Sequence, residues 1–251
     1  MLGFIGYENL FLNGTLSATS EATGFEKENA IDWLTNDWWK PSAGGTYYIT
    51  VDLGSADSAD YLGIAGHNLG TESATVSVEY SSDNFSGDIN DAFTPVALTS
   101  DAVYVKSFST QSARYWRLKV ASTNAALIGQ VSIGAQMAIT EQPDVGFSPP
   151  NFSPDDKIIN SKSEGGQFIG RSVVSLGVEF SIPFMFLDPA WVRTTWEDFT
   201  THGKRYPFFY VWDLTNFPDE VVYCWSEGSW PKAEYSHTNL MSVTLSVRGI
   251  G

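Results

Sequence analysis

The chain has 251 residues and a formal net charge of −15, from 14 Lys and Arg against 29 Asp and Glu. That acidity argues against sequence-independent nucleic-acid binding, which rests on Lys and Arg neutralising phosphates, and against an anionic membrane surface. A single cysteine, Cys224, excludes an intramolecular disulfide and a zinc cluster, while 43% hydrophobic, 14% aromatic and only 17% charged residues point to an all-β protein with a substantial core.

Residues 1–25 are apolar, then small. Leu2, Phe4, Ile5, Leu10, Phe11 and Leu12 precede a Ser/Thr/Ala run. This reads as a β-arm that either joins the first sheet or reaches a neighbouring subunit. It has no basic head and no long apolar stretch, so it does not read as a signal peptide. No run of 18 apolar residues occurs elsewhere, and no membrane insertion is expected. The chain is expected to be made in a reducing cytosol.

The organising stretch is 30–54, a turn-rich loop with Trp33, Trp38 and Trp39 that leads into a strand. In the strand, Tyr47, Ile49, Val51 and Leu53 alternate with Tyr48, Thr50 and Asp52, a period of two. Gly54 closes it. A short buried strand at 60–66 follows. Then come 75–80 with Val76, Val78 and Tyr80 inward, 102–108, 115–120 burying Trp116, Leu118 and Val120, and 128–137. Gly, Asn, Asp and Ser separate these runs in the manner of a β-sandwich.

Residues 139–166 hold four prolines and no periodic apolar face, and read as a linker or extended arm. Residues 167–251 read as a second, smaller β-domain. Val174, Leu176, Val178, Phe180, Ile182, Phe184 and Phe186 alternate in one long strand with a bend or edge at Pro183. Asp188-Pro189 starts a helix over about 189–203 with Val192, Trp196 and Phe199 on one face. Gly203 ends it, with Lys204 and Arg205 beside its negative end. Strands at 206–214, 220–227 and 240–250 complete the domain.

The loop-to-strand phrase AIDWLTNDWWKPSAGGTYYITVDLG and the later ARYWRLKV at 113–120 resemble two signatures of discoidin-like domains (F5/8 type C, galactose-binding-like). The resemblance implies a jelly-roll sandwich over 1–138 with a ligand face made by loops at one end. In carbohydrate-binding relatives an exposed aromatic ring stacks on a sugar, which nominates Trp33, Trp38 and Trp39, with Trp38 the ring expected to be exposed, and His67 and Asn68 on a nearby turn. Trp33 stands where the family usually has glycine, and Trp39 where it keeps a packed tryptophan. The alternative is that these rings plug the sandwich end or a subunit contact. Many relatives hold a structural calcium in the same loop, and Asp32 and Asp37 could supply oxygens to it. No other cofactor is expected.

The C-terminal phrases RYPFFYVWDL and MSVTLSVRGI are similar to β-domains of bacteriophage distal-tail and tail-tip proteins, and YLGIAGHNLG is similar to discoidin-type domains carried on such proteins. No catalytic motif is present, and the adjacent carboxylate pairs Asp155-Asp156, Glu197-Asp198 and Asp219-Glu220 do not set two carboxyls across a bond. The expectation is a non-enzymatic virion structural protein of a phage tail tip or baseplate, made in the bacterial host cytoplasm. It would assemble with copies of itself in a ring of six or three and with tail-tube and tail-tip proteins, and could display the sandwich to a surface glycan. The alternative is a carbohydrate-binding module that attaches a particle or protein to a bacterial surface glycan.

Overall fold

A computed structural model describes residues 3–251, so Leu2 of the expected arm lies outside the described residues. Two compact units are present, one over 4–137 and the other over 138–251 together with Gly3. Each is described on its own.

The N-terminal unit begins with β1 (Phe4–Gly6) and β2 (Thr15–Ala18), followed by β3 (Gly45–His67), β4 (Thr75–Ser81), β5 (Asn90–Asp91) and β6 (Val96–Ala97). β7 (Tyr104–Ser122), β8 (Ile128–Gly134) and β9 (Met137–Ala138) close the series. The order β2-β3-β7-β4-β5, with β6 on β4 and β8 on β3, is one hydrogen-bonded sheet. It becomes a sandwich because β3 and β7 are long enough to belong to two layers. The first half of β3 pairs with the second half of β7 (Ile49↔Leu118, Val51↔Trp116), and the second half of β3 pairs with the first half of β7 (Gly63↔Val105). Register shifts between Asp52 and Asp57 and between Ala59 and Tyr61 bend the ribbon at the corner. β2, β4, β5 and β6 extend the first layer, and β8 extends the second.

One apolar cluster fills the space between the layers. Ile49, Val51, Leu62, Ile64, Val76, Val78, Trp116, Leu118, Val131 and Ile133 all belong to it and are almost wholly buried. The expected alternation at 47–53 is therefore realised. The stretch 60–66 is not a separate strand, because Gly54 (φ +75) turns the backbone without ending its pairing. Of the expected N-terminal arm, β2 joins the first sheet through Thr15↔Asp52 to Ala18↔Ile49. On the outer face, buried Glu79 accepts hydrogen bonds from Arg117 Nε (2.6 Å) and Lys119 Nζ (2.8 Å), and Arg117 lies against the rings of Tyr48 and Phe85.

The C-terminal unit contains β10 (Lys157–Lys162), β11 (Phe168–Ser175), β12 (Val178–Leu187), β13 (Phe208–Val211), β14 (Val221–Ser226), β15 (Glu234–His237) and β16 (Leu240–Ile250). Its main sheet runs β12-β16-β14-β13, with β15 paired to β16. A helical segment joins β12 to β13, consisting of α1 (Pro189–Trp191), a π turn at Val192–Trp196 and α2 (Glu197–Gly203). Asp188 caps it, with its Oδ1 accepting from the Ala190 and Trp191 amides at 2.6 and 3.3 Å. Val192, Trp196 and Phe199 are buried, as their spacing predicts. Trp196 meets the rings of Phe184, Trp191, Phe199 and Trp230.

Two expectations change here. The long strand anticipated from Val174 to Phe186 is divided: β11 ends at Ser175, Gly177 lies between, and β12 starts at Val178. Phe180, Ile182 and Phe184 are buried against β16, whereas Val174 (53%) is exposed because β11 pairs only with β10, and Leu176 (69%) is exposed between the two strands. The stretch 139–166 is not featureless either: it holds a 3-10 turn at Pro150–Phe152 and the whole of β10. Strand β15 was not anticipated. Cys224 is buried, and burial pushes its thiol well above the usual range.

Candidate functional site

The sequence stretch that carries the discoidin resemblance builds one end of the sandwich. After a 3-10 turn at Lys27–Ala30, the chain loops through 31–38 and returns at Trp39. Trp39 is fully buried. It exchanges both backbone hydrogen bonds with Ile128 (2.9 and 3.1 Å), and its indole N–H donates to the Ser20 carbonyl at 3.1 Å. The third tryptophan therefore packs, as its place in the motif implies.

Trp33 and Trp38 are both half-buried. Trp38 is anchored: its indole N–H donates to the Gly66 carbonyl at 3.1 Å, and its amide donates to Asp37 Oδ1 at 3.0 Å. Trp33 has φ +71, in the left-handed region that glycine occupies at no cost and that an aromatic residue resists. What holds it is Gln130, a fully buried side chain on β8 whose Oε1 accepts the Trp33 amide at 2.8 Å. The Gln130 amide in turn donates to the Val131 carbonyl and Ser132 Oγ, which fixes its orientation. Leu34 beside it is 50% exposed.

The loop rests on the strand ends because two glycines allow it. Gly66 has φ +63, and a Cβ there would meet the Thr35 carbonyl oxygen at 2.7 Å; a Cβ on Gly129 would lie 3.1 Å from Thr35 Cα. This contact brings the loop against the 66–68 turn, so Trp38, His67 and Asn68 do fall in one neighbourhood. Their roles differ. His67 is buried, its Nδ1 accepts the Leu69 amide at 3.2 Å, and burial lowers its pKa below the ordinary imidazole value. Asn68 Oδ1 accepts the Leu127 amide at 2.7 Å, and its Nδ2 reaches Glu72. Both side chains are occupied in holding the turn.

Asp32 and Asp37 are likewise used locally. Asp32 Oδ1 accepts the Leu34 amide at 2.9 Å, and Asp37 Oδ1 accepts from Asn29 Nδ2 at 2.9 Å as well as from Trp38. Among the described residues no group of three or more His, Cys, Asp or Glu is arranged to hold a metal ion. What the loop offers chemically is apolar surface from the half-buried Trp33 and Trp38 and the exposed Leu34, with the exposed Asp32 beside it. Sequence reasoning missed Gln130 and Thr35. The signal for Gln130 was present, as the one amide in the otherwise apolar and small β8 segment IGQVSIG.

No family model matches the chain, and no curated protein matches it. Solved structures similar to it include a chitosan-binding module of a chitosanase/glucanase from Paenibacillus sp. IK-5, at 22% identity over 50% of this chain and 98% of that one, with a TM-score of 0.42. A pectin-binding carbohydrate-binding module aligns at 19% identity over 47% of this chain and 88% of that one, TM-score 0.40. A Clostridium perfringens module in complex with GalNAc-β-1,3-galactose aligns at 16% identity over 49% and 96%, TM-score 0.42. These neighbours are carbohydrate-binding modules of discoidin-like β-sandwich fold, each spanning about half of the chain.

Proposed function

We propose that the chain binds carbohydrate through the loop at 31–38, with Trp33 as the stacking ring and Trp38, anchored to Gly66, as a second aromatic of the same loop. The observation that carries this reading is the backbone of Trp33. A non-glycine residue held at φ +71 costs on the order of 1–3 kcal/mol. The ring is only half-buried, so core packing does not offset that cost in full. A side chain kept in a strained, presented position is best explained by what it presents itself to. A flat indole suits the C–H face of a pyranose, while the exposed Asp32 carboxylate meets the hydroxyl rim. His67, being buried, is not among the contacts proposed; Asn68 and Asp37 position the loop.

The test is a glycan array with the full chain, repeated with Trp33→Gly and Trp38→Ala. Glycine relieves the strain, so the Trp33→Gly protein should melt no lower than the parent while losing about tenfold or more in glycan affinity, equivalent to about 1.4 kcal/mol. Retention of no glycan by the parent, or undiminished binding by Trp33→Gly, would refute the reading.

A second reading is favoured by a separate observation, the exposed apolar surface of the C-terminal unit, where Phe168, Ile169 and Leu176 are each more than 60% exposed. This is the assembling subunit: a tail-tip or baseplate protein in the virion that meets copies of itself and other tail proteins. The similar structures lend it no support. The two readings are compatible, since an assembling chain can display a glycan-binding sandwich.

A further inference from the structure

Strands β10 and β11 form a hairpin that pairs with nothing but itself. Every residue of β10 is exposed, and so is all of β11 except Gly170. Yet the hairpin is apolar: Ile158, Ile159, Phe168, Ile169, Val173 and Val174 are 39–67% exposed. Ile158 lies across from Val173, whereas Ile159, one residue along, points to the opposite face. A two-stranded hairpin is marginal in water by itself, and a strand pair apolar on both faces is the pattern of an element covered on both sides. Both of its outer edges also lack a ladder partner.

Charge selects the partner. Residues 157–175 hold three of the 14 Lys and Arg (Lys157, Lys162, Arg171) and one of the 29 Asp and Glu (Glu164), which leaves the hairpin at +2 and the remainder at −17. None of the three cations is in an ion pair among the described residues. We infer that this hairpin is a docking arm that inserts against the acidic body of a second copy of the chain. Two hairpins meeting each other would set +2 against +2, so the contact is head-to-tail, with arm on body. Such a contact propagates into a ring if its rotation closes and a filament if it does not. This deepens the assembling-subunit reading and rests on it; it is independent of glycan binding.

Light scattering after size exclusion, across a concentration series of the full chain, tests it. The parent should form multimers. The exposed-site variant Ile159→Ser/Phe168→Ser and the charge-reversed Lys157→Glu/Lys162→Glu/Arg171→Glu should each weaken association by at least about tenfold, with unchanged circular dichroism melts. Because the contact is head-to-tail, the Ile159→Ser/Phe168→Ser chain still offers its acidic body, and a tagged sample of it should capture untagged parent. Amides of 157–175 should gain hydrogen-exchange protection in the multimer. A parent that stays monomeric throughout overturns both this inference and the assembling reading. A multimer indifferent to both variants, or a hairpin variant unable to capture parent, overturns the docking arm alone.

Discussion

His67 and His202 are both driven toward the neutral form, chiefly by burial, and their pKa values lie below the ordinary imidazole value. The unfolded chain then binds protons that the folded chain refuses, so stability falls as pH drops below about 6.5 and continues to fall until the folded pKa is passed. Glu8 and Asp60 act with the opposite sign, because burial raises theirs, so the histidine share is the part of the slope that substituting both rings removes. Urea midpoints should therefore be lower at pH 5.5 than at pH 7.5. A His67→Asn/His202→Gln protein should flatten that dependence. Its Asn Oδ1 can replace the Nδ1 that accepts from Leu69, and its Gln Nε2 can replace the Nε2 that meets the Pro207 carbonyl. A slope that survives the double substitution would assign the effect elsewhere. These histidines also show what a sequence hides. His67 sits in a turn phrase with Gly66 and Asn68, and turn chemistry reads the same whether side chains face a ligand or their own backbone. At Trp33 the sequence shows only a departure from a motif that has glycine there; the positive φ that goes with it is visible in the structure and not in the letters.

At the level of elements, local chemistry was read well and pairing less well. The Asp188-Pro189 cap, the stripe of Val192, Trp196 and Phe199, and the Gly203 end need only neighbouring residues, and all three are as expected. Alternation from Val174 to Phe186 was continuous in sequence, but it carries no information about which partner each half finds, and the two halves belong to different sheets. Trp196 is the strongest single packing residue of the helical segment, touching four aromatic rings. Trp196→Ala should cost about 3–5 kcal/mol, read as a lower urea midpoint with no change in slope. A loss below about 1 kcal/mol would mean that the ring cluster is dispensable. Gly203→Ala should perturb the same cluster, since its Cβ would lie 2.7 Å from Trp230 Cζ3.

For the whole molecule, charge is the most economical predictor. A net −15 with only 14 cations disfavours the binding of polyanions. The protein should not shift single- or double-stranded DNA in a mobility assay at 0.15 M salt; a shift that weakens steeply with added salt would show a cationic stripe that the composition conceals. Fold class was legible at this scale because few charges and many short alternating runs leave little but β-structure. The hairpin was not legible, because an apolar strand left in solvent and an apolar strand in a core have the same letters.

The corner of β3 has one more implication. A single strand serves both layers, yet its core-facing positions are odd in the first half (Ile49, Val51) and even in the second (Leu62, Ile64), the change being absorbed where the register slips. Gain or loss of one residue is therefore unequal along it. Between Tyr47 and Val51 it would turn the buried set outward, whereas between Leu53 and Ala59 slack already exists to take it up. An inserted segment should therefore be tolerated at that corner, with the interior left unmoved.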